Sequence, residues 1–148
     1  MALMEKLDRQ ILALLARDGR MSYTDIGKET GLSTSAAQQR VRRLEQRGVI
    51  KGYRAILDSS ELGLMVTAFV AIKPFDPGQA DDAPERLQEI EEIISCYSVA
   101  GDASYLLKVQ AQSMSHLESL LTRIRSAGKV STQTTTVLSI PYEDRPPI

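Results

Sequence analysis

Apolar residues recur at helical spacing from the start of the chain. Leu3, Leu7, Ile11, Leu14 and Leu15 form one stripe, which predicts a helix over about 5–17 closed by Asp18-Gly19. Ser22, three residues before Asp25, begins a capping box, and Gly31 is suited to end the short helix it starts. Ser33 caps a longer helix running to Arg47, with Gly48 as its stop. Helix, glycine-containing turn and helix make a helix-turn-helix, and the first helix supplies its hydrophobic floor.

The pattern changes after Gly48. Val49, Ile50, Tyr53, Ile56 and Leu57 suggest an extended segment, a strand or a partly paired linker, broken at Asp58-Ser59-Ser60. Residues 63–73 are β-branched and apolar on both faces, the pattern of a central strand. A Pro, Gly and Asp-rich loop over 74–84 leads to an acidic helix at 85–93, with Leu87, Ile90 and Ile94 on one side. Strands follow at about 94–100 and 105–111, joined by a turn at Gly101-Asp102. A helix over 114–127, stopped by Gly128, and a strand over 130–140 complete the series, with Pro141 opening a tail.

The expected fold is therefore α+β. A three-helix helix-turn-helix domain spans 1–50, a linker 51–62, a ferredoxin-like βαββαβ domain 63–141 and a tail 142–148. Both helices of the second domain should lie on one face of a four-stranded antiparallel sheet. The other face, with Met65, Phe69, Tyr97, Val99 and Leu106 as candidates for its apolar surface, has no helix to cover it. Such a face seeks a partner, so a homodimer through the sheets is expected.

Charge separates the halves. Residues 1–54 hold 11 basic and 6 acidic side chains, a net of +5, while the remainder holds 7 and 13, a net of −6. A basic head on an acidic body fits phosphate binding by one half only. One cysteine, Cys96, fits a reducing compartment. No apolar run approaches the ~20 residues of a membrane span, and Glu5 and Asp8 interrupt any signal pattern, so a cytoplasmic, soluble protein is expected.

The capped second helix separates by face. Ala37, Val41 and Leu44 can pack on Ile26 and Leu32, while Ser35, Gln39, Arg42 and Gln46 point away, flanked by Gln38 and Arg43. Glu45 is the only acid between Ser33 and Arg54, against Arg40, Arg42, Arg43, Arg47, Lys51 and Arg54. Gln and Arg bond bidentately to base edges in the major groove, and Ser and Arg reach phosphates. Ser33, Ser35, Gln38, Gln39, Arg42, Arg43, Gln46, Lys51 and Arg54 are therefore the candidate contacts to double-stranded DNA. The bland alternative is a basic solvated helix, against which the preceding helix and turn weigh.

This arrangement resembles the Lrp/AsnC (leucine-responsive, or feast/famine) transcription regulators. The resemblance rests on DRQILALLARDGR (8–20), GLSTSAAQQRVRRLEQRGVIKGYRA (31–55), LGLMVTAFVAI (62–72) and AGDASYLLKV (100–109); the Pro/Asp loop before Glu85 and the SCYSVAG run look closest to actinobacterial members. It implies dimers that assemble further, commonly to octamers, pseudo-palindromic promoter DNA, and an amino-acid effector held in the C-terminal domain at contacts between dimers. Many members read Gly-Asp-aromatic-Asp-Tyr where this chain reads Gly101-Asp102-Ala103-Ser104-Tyr105, so the second carboxylate is a hydroxyl. Gly101 permits close backbone approach, and Asp102 or a nearby carbonyl can accept from an ammonium. An ordinary hairpin turn is the other reading of Gly101-Asp102. At Gly27 the family more often has Ala, and a helix glycine costs roughly 1 kcal/mol.

Cys96 is expected to be buried by strand alternation and His116 to be solvated; the threonines at 134–136 read as a strand edge or as hydroxyls at an effector crevice. With one histidine and no nucleophile–base pair, phosphate loop or zinc motif, neither an enzyme nor a cofactor is expected. The rivals to an amino-acid-responsive regulator are an effector-independent chromosome-organising protein and an amino-acid-sensing metabolic protein whose head is a docking module.

Overall fold

In the computed structural model, which describes residues 4–148, the chain divides into two compact units. One runs to Ile56 and includes Tyr142–Ile148; the other is Leu57–Pro141. Leu3, the first member of the opening stripe, lies outside the described residues.

The first unit contains helices α1 (Lys6–Arg17), α2 (Tyr23–Thr30) and α3 (Thr34–Gln46). The Ser22 hydroxyl accepts from the Asp25 N–H at 3.0 Å, and Ser33 accepts from Ala36 N–H at 3.1 Å, so each helix of the pair begins on a serine cap. Gly31 ends α2 at φ 76°, a conformation glycine adopts without Cβ strain. Ile11, Ile26, Ala37, Val41 and Leu44 form the core, with Leu12, Leu15, Met21, Tyr23, Leu32 and Ile50 packed around it.

Gly27 is a packing requirement rather than a soft spot in α2. A Cβ there would sit 2.5 Å from the Leu32 carbonyl oxygen, so the turn closes against bare backbone. Alanine is the better helix former by roughly 1 kcal/mol, but forcing the turn outward costs about 1–3 kcal/mol. Gly27→Ala is therefore expected to lower the melting temperature of the head. A raised melting temperature would show that the turn yields freely.

The second unit follows the βαββαβ order: β1 (Val66–Pro74), α4 (Ala83–Leu87), β2 (Ile93–Ser98), β3 (Tyr105–Ala111), α5 (Met114–Gly128) and β4 (Val130–Thr136). The sheet order is β2-β3-β1-β4, antiparallel throughout, so the doubly apolar strand β1 is central. Ala68, Val70 and Ile72 from β1 and Leu107, Val109 and Ala111 from β3 share one core with Ala83 and Leu87 of α4 and Leu117, Leu120 and Ile124 of α5. Both helices thus cover one sheet face. The opposite face carries Phe69 and Ala71 of β1 beside Lys108 and Leu106 of β3, with Tyr97 of β2 next to Leu106.

Several sequence expectations need correction. The acidic helix expected over 85–93 is only the five residues Ala83–Leu87. Glu85 and Glu89 would repel at i,i+4, and Glu91 and Glu92 would crowd the negative end of a longer helix. The chain instead turns, with Ile90 N–H bonding Leu87 O and Ile93 N–H bonding Ile90 O, and enters β2. The register shift between Ile93 and Ser95 leaves Ile94 exposed. Gly128 is the last residue of α5 rather than its stop; Lys129 takes the left-handed position at φ 52°. A Cβ on Gly128 would meet Leu87 Cδ2 and Val130 Cγ2 at 3.2 Å, so its bareness serves packing.

Met65 and Val99 lie just outside β1 and β2, and the stretch over 51–58 pairs with no strand. Cys96 is exposed, not buried, because it sits on an edge strand where the short α4 leaves the helix-side face open. His116 is half-buried and bonded rather than freely solvated: Nε2 lies 3.2 Å from Glu92 Oε1, and Nδ1 accepts from the Gln112 N–H at 3.0 Å.

Candidate nucleic-acid interface and ligand loop

The head presents one side of α3 to solvent. Ser35, Gln39, Arg42, Arg43 and Gln46 are exposed and Gln38 is half-buried, while Ala37, Val41 and Leu44 are fully inside. Ser33, though exposed, already uses its hydroxyl to cap α3 and lies 3.3 Å from the Ser35 hydroxyl. Thr24 and Thr34 hydroxyls approach to 3.3 Å, joining the starts of α2 and α3. Among the described residues, Arg42, Arg43, Lys51 and Arg54 take part in no ion pair, so their charges are available to an external anion. Lys51 and Arg54 are exposed on the stretch that leaves α3.

The acid nearest this basic set is itself engaged. Tyr53 donates to Glu45 Oε1 at 3.2 Å. Burial and the Glu45 charge beside it push the Tyr53 phenol up to about 12, so it remains a donor at any physiological pH. Arg40, counted with the basic residues from sequence, is occupied: its Nη1 donates to Glu5 Oε2 at 2.9 Å and to Asp8 Oδ1 at 3.0 Å. Asp8, on the apolar stripe of α1, is the residue sequence reasoning missed; an acid within one turn of Ile11 was the available signal.

The loop between β2 and β3 holds the five candidate effector residues. Gly101 has φ 146°, within the region that favours glycine, and the space where its side chain would project is open for 4 Å. Gly101 and Asp102 are exposed; Ala103, Ser104 and Tyr105 are half-buried. Ser104 ties the loop down through its backbone, donating to Ile72 O at 2.9 Å and accepting from Val99 N–H at 3.1 Å. The Tyr105 hydroxyl donates to Asp81 Oδ1 at 2.8 Å, a bond that raises the phenol above its ordinary value. Gly101 and Asp102 are thus left as the free tip of a pinned loop.

A separate open cleft of about 510 Å³ is lined by Leu64, Glu89, Glu91, Glu92, Ile94, Gln110 and Arg123. Glu92 is shared there between His116 and Arg123. Burial pushes its carboxyl up, and the bonds from Arg123 and His116 more than offset that, leaving it below the usual carboxylate range. Residues 101–105 line neither this cleft nor a smaller one of about 220 Å³ beside Cys96 and Leu87. His116 and Arg123 come from α5, 24 and 31 positions from Glu92, a separation over which local sequence patterns carry no signal.

A family model of the Lrp/AsnC ligand binding domain matches residues 67–147, and one of the AsnC-type helix-turn-helix domain matches 4–45. The chain belongs to the Lrp/AsnC family. It is 49% identical over 142 residues to the HTH-type transcriptional regulator LrpA of Mycobacterium tuberculosis, covering 96% of this chain and 95% of that protein. Identity to the leucine-responsive regulatory protein of Escherichia coli (strain K12) is 37% over 139 residues, 91% of this chain and 85% of that one. The solved feast or famine regulatory protein from M. tuberculosis, complexed with L-methionine, superposes with a TM-score of 0.95 at 49% identity, covering 97% of this chain and 98% of that chain. These Lrp/AsnC relatives are transcriptional regulators, not enzymes, and the α+β reading of the sequence agrees with their fold. No helix among the described residues is long and apolar enough to cross a membrane.

Proposed function

We propose that this Lrp/AsnC chain regulates transcription from the cytoplasm by binding pseudo-palindromic DNA through α3, under the control of a small amino acid. The observation that carries the reading is the outward face of α3, a set of Gln, Ser and Arg side chains on a capped helix-turn-helix whose acidic neighbour, Glu45, is bonded by Tyr53. Gln39 and Arg42 read base edges, with Ser35, Gln38, Arg43 and Gln46 around them, while Ser33, Lys51 and Arg54 serve the phosphates. The uncovered sheet face supports a homodimer, and the family resemblance supports further assembly to an octamer.

The effector is placed at Gly101, Asp102, Ala103, Ser104 and Tyr105. The open approach to the backbone at Gly101 suits a carboxylate, and the exposed Asp102 suits an ammonium. The loop lines neither of the two clefts described above and its tip is exposed, so a neighbouring copy in the assembly is the surface that would close over a ligand there. The methionine complex of the 49% identical relative supports an amino acid as the ligand class.

Titration of a duplex selected by the protein from a random pool, with and without each of the twenty amino acids, tests this function. Gly101→Val places a branched side chain at φ 146° and across the approach, so it is expected to abolish modulation by the active amino acid while basal DNA binding persists. Asp102→Asn should weaken effector binding by about 1–3 kcal/mol, the scale of a charge-assisted bond. Equal effector affinity in wild type and Gly101→Val would place the site elsewhere.

A further inference from the structure

Among the described residues, Arg40 differs from the other basic residues of α3 in being held by ion pairs. At 100° per residue it lies about 160° around the helix from Arg42 and about 60° from Arg43. Its side chain is 22% exposed, and the guanidinium bridges Glu5, the N-cap residue of α1, and Asp8 in the first turn of that helix. Asp8, with 9% of its side chain exposed, is the one buried charged residue among the described residues. Apolar packing holds the buried stripe Ala37, Val41 and Leu44 of α3 against Ile11 and Ile26, but such contacts have no bond direction of their own. A planar guanidinium held by two carboxylates is directional, and it fixes both the rotation and the axial position of the helix.

We propose that Arg40 is a positioning residue of the DNA interface: clamped by Asp8 and Glu5, it sets the angle at which α3 presents Gln39 and Arg42 to the bases, without itself contacting phosphate. This rests on the DNA-binding reading of α3 given above. The charge of Arg40 is answered within the chain, so a phosphate would have to displace two carboxylates, one of them buried, leaving that one without its partner. Displacement of this kind is costly where free cations at Arg42, Arg43, Lys51 and Arg54 are available. The role also accounts for a buried acid on the apolar stripe of α1, where a hydrophobic residue would otherwise pack.

The test uses the full chain carrying Asp8→Asn, Arg40→Gln or both, titrated against a duplex selected by the wild type and against a random duplex over a range of salt. Circular dichroism melting of each variant accompanies the titrations. Asp8→Asn removes a negative charge, so simple electrostatics would tighten binding to every duplex. Positioning instead gives a loss of about tenfold in the selected-to-random affinity ratio for Asp8→Asn and for Arg40→Gln, and no greater loss in the double variant. The logarithmic salt slope on random DNA stays at its wild-type value, since the number of phosphates neutralised is unchanged. A slope reduced by about one for Arg40→Gln, with equal loss on both duplexes, would make Arg40 a phosphate contact and overturn the proposal. An unchanged affinity ratio in Asp8→Asn would overturn it as well. A drop in affinity that merely follows a lowered melting temperature, at constant ratio, would reduce the clamp to a structural brace. Wild-type binding that is indifferent to both salt and sequence would instead remove the DNA-interface reading on which the inference stands.

Discussion

Replacing Phe69 or Leu106 by aspartate is expected to reduce the assembly to single chains while leaving each chain folded. Both residues lie on the sheet face away from the helices; Ala68, Val70, Ile72, Leu107 and Val109, which alternate with them, fill the core instead. An aspartate at either position therefore adds no charge to the folded interior. In a sheet-to-sheet dimer it would bury a carboxylate among Ala71, Leu106 and Tyr97; Lys108 shares this face opposite position 69, so the larger effect is expected for Leu106→Asp. Two helix-turn-helix heads joined in one assembly bind two half-sites as an intramolecular pair, an advantage of about 10²–10⁴ in affinity. The variants should lose affinity of that order for a palindromic duplex and keep the weak binding of one head to a half-site. Light scattering at micromolar concentration checks the assembly, and an unchanged mass for Leu106→Asp would move the interface off this face.

Arg42→Ala should cost about 1–3 kcal/mol on the selected duplex and relax the base preference at one position of each half-site. Arg42 is exposed and unpaired on the centre of the outward side of α3, one turn from Gln39. Lys51→Ala or Arg54→Ala should act differently, weakening all sequences alike and lowering the salt slope by about one unit, because a phosphate contact carries no sequence information. Binding to selected and random duplexes in parallel distinguishes the two classes. Equal loss on both for Gln39→Ala would take that residue out of the base-reading set.

What sequence reading captures here is whatever local chemistry decides. The serine caps at Ser22 and Ser33, the left-handed Gly31 and the Ala37, Val41, Leu44 stripe all depend on neighbours within a few positions, and α2 and α3 form on those residues. Strand alternation likewise identifies Tyr105–Ala111 as a strand whose Leu107 and Val109 face the core. The helix after the Pro/Asp loop is shorter than its apolar spacing suggests because Glu85, Glu89, Glu91 and Glu92 repel one another.

Tertiary neighbours decide the remainder. Gly27 reads as a weak helix position until the Leu32 carbonyl is seen in the place of its missing Cβ. Cys96 reads as core by alternation, but the edge position of β2 leaves its face open. The Glu5–Asp8–Arg40 and Glu92–His116–Arg123 clusters join residues more than 20 positions apart, so neither has a local signature. At the candidate ligand loop the sequence marks the turn and its glycine, while the pinning bonds from Ser104 and Tyr105 emerge only from the fold.

An amino acid bound by the C-terminal domain is expected to change how the head holds DNA. Fluorescence anisotropy of a wild-type-selected duplex, titrated with the full chain at several salt concentrations in the presence of each of the twenty amino acids, measures that coupling directly. A steep negative salt slope is expected and, for at least one amino acid, a shift in affinity of about 5–150-fold in either direction, the usual range of an allosteric coupling. Steep, sequence-selective binding that none of the twenty shifts would contradict it, and would leave a DNA-binding protein without an amino-acid switch.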